Sequence, residues 1–402
     1  MSFLLGRSFA FHRIAAIGRR AGQPARPCAR LGAHHRVTGF LLRRIGVVAA
    51  ALATAALAGG SWAQNVLPTS PATAPTTVLE TGLQPGEAFV TRFSGTTLVT
   101  RPNGQIDFAI DQEGTVGSII DVRAPGRVPV GSHWINEPQR NPVTAKQVGQ
   151  IFGVVLDDAT PPNIYVSATA AFGLHLTPGT RNWMIGMWGQ GGGPGTIYKL
   201  DAANNYSPSV FANVTLNNRQ NTGAALGNMS FDRVSRQIFV SDLETGMIHR
   251  ISIVDGKDLG SYDHGAQGRA NFTDAASGEK KTLAPISFQP NSRARLFDCV
   301  SGNFAQSPEC WNVAESGRRV WGIGVRQDPK SLESRLYYGV WSSPALANVA
   351  WDSLPDDEKR NSVWSVRIAA DGSFDPTDVR CSPSAPLRPF EGLHEGRISG
   401  SS

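Results

Sequence analysis

The sequence predicts an all-β chain, a β-propeller of four-stranded antiparallel blades that is expected to stop short of its last blades at the C-terminus. Three observations predict it. Short apolar segments with period-two alternation recur in similar order along residues 149–380, the pattern of half-buried strands. Asp-Gly pairs at 255–256 and 371–372 supply the positive-φ residues that tight hairpins need. The chain carries 43 glycines and 26 prolines, and nothing after residue 64 shows a long helical apolar period. Four strands per unit, repeated radially, leave only short, protected sheet edges. A sandwich or barrel of short strands is the competing architecture, but it does not call for similar four-strand units.

The elements follow from the N-terminus. Residues 1–79 hold nine arginines, no lysine and no acid. Arg43-Arg44, the apolar run 45–59 and the small residues Ser61 and Ala63 form the three parts of a secretory signal cut before Gln64. The run is shorter than the roughly 20 residues of a membrane span, so no span is expected in the mature chain. Because the signal is complete from about Val37, residues 1–36 read as an extension of the gene start. Residues 64–87 are Pro/Thr/Ala-rich and aperiodic, as in a linker. The expected address is periplasmic or secreted.

Removing the nine leader arginines from the 38 basic residues leaves 29 against 32 acidic. A near-neutral body offers no basic face for nucleic acid, and that class is set aside. Cys299 and Cys310 bracket a Gly/Pro/Ser-containing loop that brings them within reach of each other, and an oxidising compartment makes a disulfide the natural reading. No zinc-type spacing accompanies them. Cys381 has no evident partner.

The repeat is set by "NMSFDRVSRQIFVSDLETG" (228–246) over "PISFQPNSRARLFDCVSG" (285–302), with looser copies at 149–173 and 319–343. Third strands are read at 196–202, 247–256, 310–317 and 362–372. Fourth strands are read at 208–214, 258–265 and 372–380, and a first unit at 88–126. Propeller blades thus occupy 88–380, and residues 381–402 lack strand pattern and read as an unstructured tail.

On "PPNIYVSATAAFG", "RQIFVSDLETGMIHRI" and "RLYYGVWSS…NSVWSVRIAADG" the chain resembles the NHL-type, strictosidine-synthase-like and SMP-30-like group of six-bladed propellers, and within it exported bacterial proteins. The likeness spans about 150–380 and rests on structural motifs. It implies a propeller fold. For the SMP-30-like branch it implies a divalent cation in the central channel, held by Glu, Asn and Asp of inner strands. Asn228 is the nearest counterpart here, and its equivalents, placed at Gly149/Gln150, Pro285 and Val320/Trp321, form no acid-amide set.

Other candidates are weighed against plain structural roles. His249 falls in the slot taken by Tyr198 and Trp364, a packing position. Asp242 and Glu244 end a strand at a turn, where acids solvate or cap; as functional groups they suit a hard cation. Asp263-His264 lies in a connection beside glycine, where function concentrates, although such a histidine is usually solvated. The glycine-rich run 186–201 lacks the phosphate-loop lysine. With Trp183, Met184, Met187 and Trp188 it is expected to be a flexible insertion overhanging one face as a lid.

No nucleophile elbow or Ser-x-x-Lys pair is present, so the catalytic residues stay unknown. The reading is a binding or scaffolding module without cofactor, its ligand a small molecule or protein held by loops 174–196 and 257–282. A lactonase-like metal-dependent hydrolase is the alternative.

Overall fold

The computed structural model describes residues 82–289, 314–341 and 360–383, less positions 102, 124–138, 174–175, 178–179, 181 and 316. All lie in one compact unit. Cys299, Cys310, the leader and the tail from residue 384 fall outside the described residues.

The described residues include three complete four-stranded antiparallel blades. The first joins β6 (Ile151–Leu156), β7 (Ile164–Ala168), β8 (Thr196–Asp201) and β9 (Ser207–Asn213) in that order. The second joins β12 (Leu226–Asp232), β13 (Gln237–Asp242), β14 (Met247–Ser252) and β15 (Asp258–Asp263). The third joins β18 (Val320–Gln327), β19 (Ser334–Val340), β20 (Ser362–Ile368) and β21 (Phe374–Pro383), and is widened at its outer edge by β16 (Phe272–Asp274) and β17 (Lys280–Lys281). β16 runs parallel to β21, pairing Thr273 with Arg380 and Asp274 with Cys381. Gly256 and Gly372 take φ of 71° and 83° in the two Asp-Gly turns, the conformation that the sequence required there.

Each blade's first strand carries a register shift at the same point. It falls between Ile151 and Val154, between Leu226 and Met229, and between Val320 and Ile323. Such bulges re-aim a strand locally, and here they form the joints between blades. Ser167 Oγ donates to Gly227 O at 2.9 Å and Ser241 Oγ to Trp321 O at 2.8 Å, both acceptors lying in the bulge of the next blade. Thr91 Oγ1 reaches the equivalent Phe152 O at 3.0 Å. At Gly153 the strands come so close that a Cβ would sit 2.5 Å from Gly227 O. Phe152 of the first blade meets Trp321 of the third, with ring centroids 5.5 Å apart. Three first strands therefore converge on one axis, which defines a propeller.

N-terminal to the blades, β1 (Glu87–Thr91), β4 (Thr115–Asp121) and β5 (Gln139–Thr144) form a three-stranded sheet. Between them β2 (Thr96–Thr100) and β3 (Ile106–Ile110) form a separate hairpin. The first unit thus exists in a different form from a four-stranded blade. A short hairpin, β10 (Thr215–Leu216) with β11 (Arg219–Gln220), precedes the second blade, and one helical turn, α1 (Ala145–Val148), precedes the first.

Three expectations need correction. Pro285–Phe288 is not a strand. Its backbone is engaged by loops instead: Ile286 N–H donates to Gly265 O at 2.9 Å and Ile286 O accepts from Arg318 at 2.6 Å. The rest of that unit, up to residue 313, lies outside the described residues. Strand β21 continues through Cys381 to Pro383, because Cys381 is buried against the third blade. The Trp/Met run is not a lid, since Met184, Met187 and Trp188 are buried in the core between the N-terminal sheet and the first blade. Trp183 packs on that core with its ring edge-on to Trp188 at 5.2 Å.

Candidate functional site

The end of the second blade gathers most of the candidate residues. Asp242 closes β13, and its Oδ1 accepts from Glu244 N and Asn221 Nδ2, each at 2.9 Å, while Oδ2 accepts from Thr245 Oγ1 at 2.7 Å. Glu244 accepts from Arg219 at 2.5 Å and from the Thr222 backbone. Both acids are buried, so they cap the turn without being solvated. Residues 219–222 arrive from another part of the chain and cover them. Burial raises the Asp242 pKa, with His249 opposing that shift and Glu244 adding to it. His249 on β14 is buried and shares Nδ1 with Asp258 Oδ2 at 2.8 Å. Every oxygen of Asp242 is engaged inside the protein, and this cluster holds the turn together.

Arg318 extends the network. Its side chain is fully buried; Nε donates to Thr245 O at 2.7 Å and Nη2 to Asp263 Oδ1 at 2.8 Å. Gly246 (φ 69°) is required beneath it, where a Cβ would sit 2.1 Å from Arg318 O. Arg318 therefore ties the 242–246 turn to Asp263, which caps the π-helical turn His264–Gly268. Single π-turns are frequent at functional sites.

That turn carries His264 into the wall of a cleft of about 340 Å³ beside the third blade. His264 is buried, contrary to the expected solvated turn residue. Its Nδ1 lies 3.0 Å from Tyr338 Oη, which in turn lies 3.2 Å from Tyr262 Oη. Among the described residues Nε2 makes no hydrogen bond of good geometry. Burial first, then the charges of Arg269 and Arg318, push the imidazole down to about 3, against a small opposing contribution from the Gly317 backbone. It is neutral at physiological pH.

The cleft's apolar wall is Phe272, Trp364, Val340 and Leu283; its polar wall is Arg269, Lys281, Arg360, Asp274 and Ser362, with Cys381 between them. Trp364 makes edge contacts to His264 and Phe272, both at 4.7 Å, and its Nε1–H is satisfied by Ser362 Oγ at 2.8 Å. Lys281 pairs with Asp274 at 2.5 Å. Burial pushes the Cys381 thiol up to about 12, helped by Asp274, so it stays an unreactive thiol. The volume lies at the lower end of small-molecule pockets, about 300–1,000 Å³.

Of the sequence candidates, only His264 reaches this cleft. Asp263 supports it through Arg318. Trp183 and Trp188 lie in another core. Asn228 sits in the second blade's bulge, its Oδ1 accepting from Met229 N at 2.9 Å. By register its counterparts are Gly153 and Gly322, not the residues expected from the sequence. Among the described residues no three of His, Cys, Asp or Glu converge as a metal-ligand set. Insertion 257–282 does contribute to the cleft, through Arg269, Phe272, Asp274 and Lys281. Arg318 and Arg360 were missed, although the Arg318-Arg319 pair directly before a strand was a visible anomaly.

The fold and cleft together define an all-β, blade-built propeller chain with a polar-and-aromatic cleft at its edge. No protein-family model matches the chain, and no curated protein matches its sequence. Among solved structures it is similar to a calcium-binding protein, regucalcin, from Agrobacterium tumefaciens, with 11% identity over 67% of this chain and 58% of that one and a TM-score of 0.27. It is also similar to a protein of unknown function from Bacteroides caccae, with 9% identity over 71% and 86% of the two chains and a TM-score of 0.24. A third is a Trichoderma reesei carbohydrate-active enzyme of family AA12, with 11% identity over 73% and 83% and a TM-score of 0.26. The chain spans little more than half the length of the regucalcin structure. At these TM-scores the likenesses carry no argument about ligand or reaction, and the propeller assignment rests on the blades and their bulge joints.

Proposed function

We propose that this chain is an exported β-propeller binding module whose small-molecule ligand seats in the cleft beside the third blade. The leader pattern supports export. The observation that carries the binding reading is the wall itself, where the buried, neutral His264 presents, among aromatic and charged side chains, an Nε2 that makes no hydrogen bond of good geometry with the described residues. A buried polar atom left unpaired costs about 1–3 kcal/mol, a cost that a ligand's hydrogen bond would relieve. Among the described residues lining the cleft no nucleophile is paired with a base, and the reading is one of recognition. The described helices include none long and apolar enough to cross a membrane.

The test is calorimetric titration of the pure protein with small acids, alcohols and amines, repeated on Leu283→Trp, which fills the cleft. The expected result is saturable one-to-one binding in the native protein, weakened at least about tenfold (about 1.4 kcal/mol) in the variant at an unchanged melting temperature. Saturable binding that Leu283→Trp leaves intact would place the ligand elsewhere.

A further inference from the structure

The outer edge of strand β2 stands open, and we infer that it is an interface at which two copies of this chain pair edge to edge about a two-fold axis through Leu98. Among the described residues β2 is hydrogen-bonded to β3 alone, and all five of its residues, Thr-Thr-Leu-Val-Thr, are exposed. The far edge of β3 turns inward instead: Ile110 is buried and its N–H donates to Met184 Sδ at 3.1 Å. Edge strands are ordinarily blunted against pairing by proline, charge or bulges. β9 carries Pro208, β15 carries Asp258 and a register shift against β14, and β17 is Lys280-Lys281. β2 has no proline, no charge and no register shift. The glycines at its two ends, Gly95 and Gly104, have open space where a Cβ would point, so the hairpin stands clear of its surroundings.

The register of the hairpin points to a second copy as the occupant. Arg101 N–H donates to Gln105 O at 2.7 Å and Asp111 N–H to Gly95 O at 3.1 Å. Facing pairs alternate between these two ends, so Thr97 and Val99 bond across to Ala109 and Asp107, while Thr96, Leu98 and Thr100 turn their N–H and C=O groups outward. An antiparallel copy centred on Leu98 meets this edge group for group. Leu98 exchanges both bonds with its own counterpart, and Thr96 does so with Thr100 of the other copy. The side chains match as well, because Thr-Thr-Leu-Val-Thr reads almost alike in both directions: threonine falls opposite threonine and Thr97 opposite Val99, pairs that suit adjacent strands, and no like charges meet. Leu98, Ile106 and Phe108 share one face of the hairpin and are 61, 63 and 49% exposed. The two-fold axis joins these apolar stripes side by side, with Leu98 against Leu98. Such an interface is isologous and closes at two copies.

Sedimentation equilibrium of the full chain tests this, with Leu98→Lys and Leu98→Glu as variants. The native chain is expected to be a dimer at about 100 μM, which saturates an association of micromolar Kd. Each variant sets like charges directly opposite across the axis and should weaken association at least about tenfold. The side chain at 98 is exposed, so the melting temperature should hold in both. Mixing the two variants sets lysine opposite glutamate and should restore a one-to-one heterodimer. A monomeric native chain, or a dimer that both variants leave intact, would overturn the interface. Variants that stay apart on mixing would overturn the register through Leu98, and growth beyond two copies would overturn the two-fold closure. Amide exchange on the native chain gives a second reading, with protection of Leu98 and Thr100 expected to rise with concentration. Protection that ignores concentration would mean that a segment of the same chain covers the edge, and would overturn the pairing of copies.

Discussion

Arg318→Ala is expected to destabilise the protein by about 3–5 kcal/mol, the range for breaking a buried charge pair. Arg318 is fully buried and donates to Thr245 O, Ile286 O and Asp263. Removing it strands two carbonyls, leaves Asp263 without its counter-charge and opens a void at a three-way junction. Against a typical total of roughly 5–15 kcal/mol the loss is severe. Arg318→Lys should recover only part of it, since one ammonium lacks the planar fork that spans three acceptors. Urea unfolding would measure both variants, and a loss under about 1 kcal/mol, the worth of an ordinary hydrogen bond, would contradict the role assigned to Arg318.

The second large effect is acid destabilisation through His264. Its folded pKa is depressed to about 3, below the ordinary value near 6.5. Between those two values the unfolded chain binds a proton that the folded chain does not, so protons favour unfolding. The stability this residue confers is full above about pH 6.5 and falls by about 1.4 kcal/mol per pH unit down to about pH 3. Asp242 works in the opposite direction. Its raised pKa makes the folded state take up the proton first, so its contribution is fullest at acid pH and is lost as pH rises. The difference between the native protein and His264→Gln isolates the histidine. The groups facing His264 are Tyr338, Trp364, Arg269 and Arg318. Urea midpoints from pH 7 to pH 4 should fall more steeply for the native protein than for the variant; parallel curves would contradict the account.

The blades were legible in the sequence because their determinants are local. Period-two strands, positive-φ glycines at 256 and 372, and the recurring "IYVS" and "IFVS" runs each act within a few residues. The serine in those runs proved to be the joint itself, at Ser167 and Ser241. Where the outcome depended on distant partners, the sequence misled. "PISF" at 285–288 matches "NMSF" at 228–231 in pattern, yet its backbone bonds go to Gly265 and Arg318, and Phe288 lies beneath the Arg219 and Arg318 guanidiniums. The acids Asp242 and Glu244 looked solvated because nothing near them shows that Arg219 and Asn221 fold over them. Trp188 looked like part of a lid because its flanking glycines suggest mobility. Those glycines instead permit close approach: a Cβ at Gly189 would meet the Val148 backbone at 2.5 Å. The cleft was nearly invisible, being assembled from 264–283, Gly317, Val340, 360–364 and Cys381, and only His264 stood out alone.

The central claim is that ligand binds off the propeller axis, at the edge of the third blade. Hydrogen–deuterium exchange with and without a saturating small molecule drawn from the calorimetric titration tests it most directly. The account predicts added protection confined to residues 264–283 and 360–366. Protection centred instead on the first-strand bulges at 152–153, 227–228 and 321–322, around the axis, would contradict it.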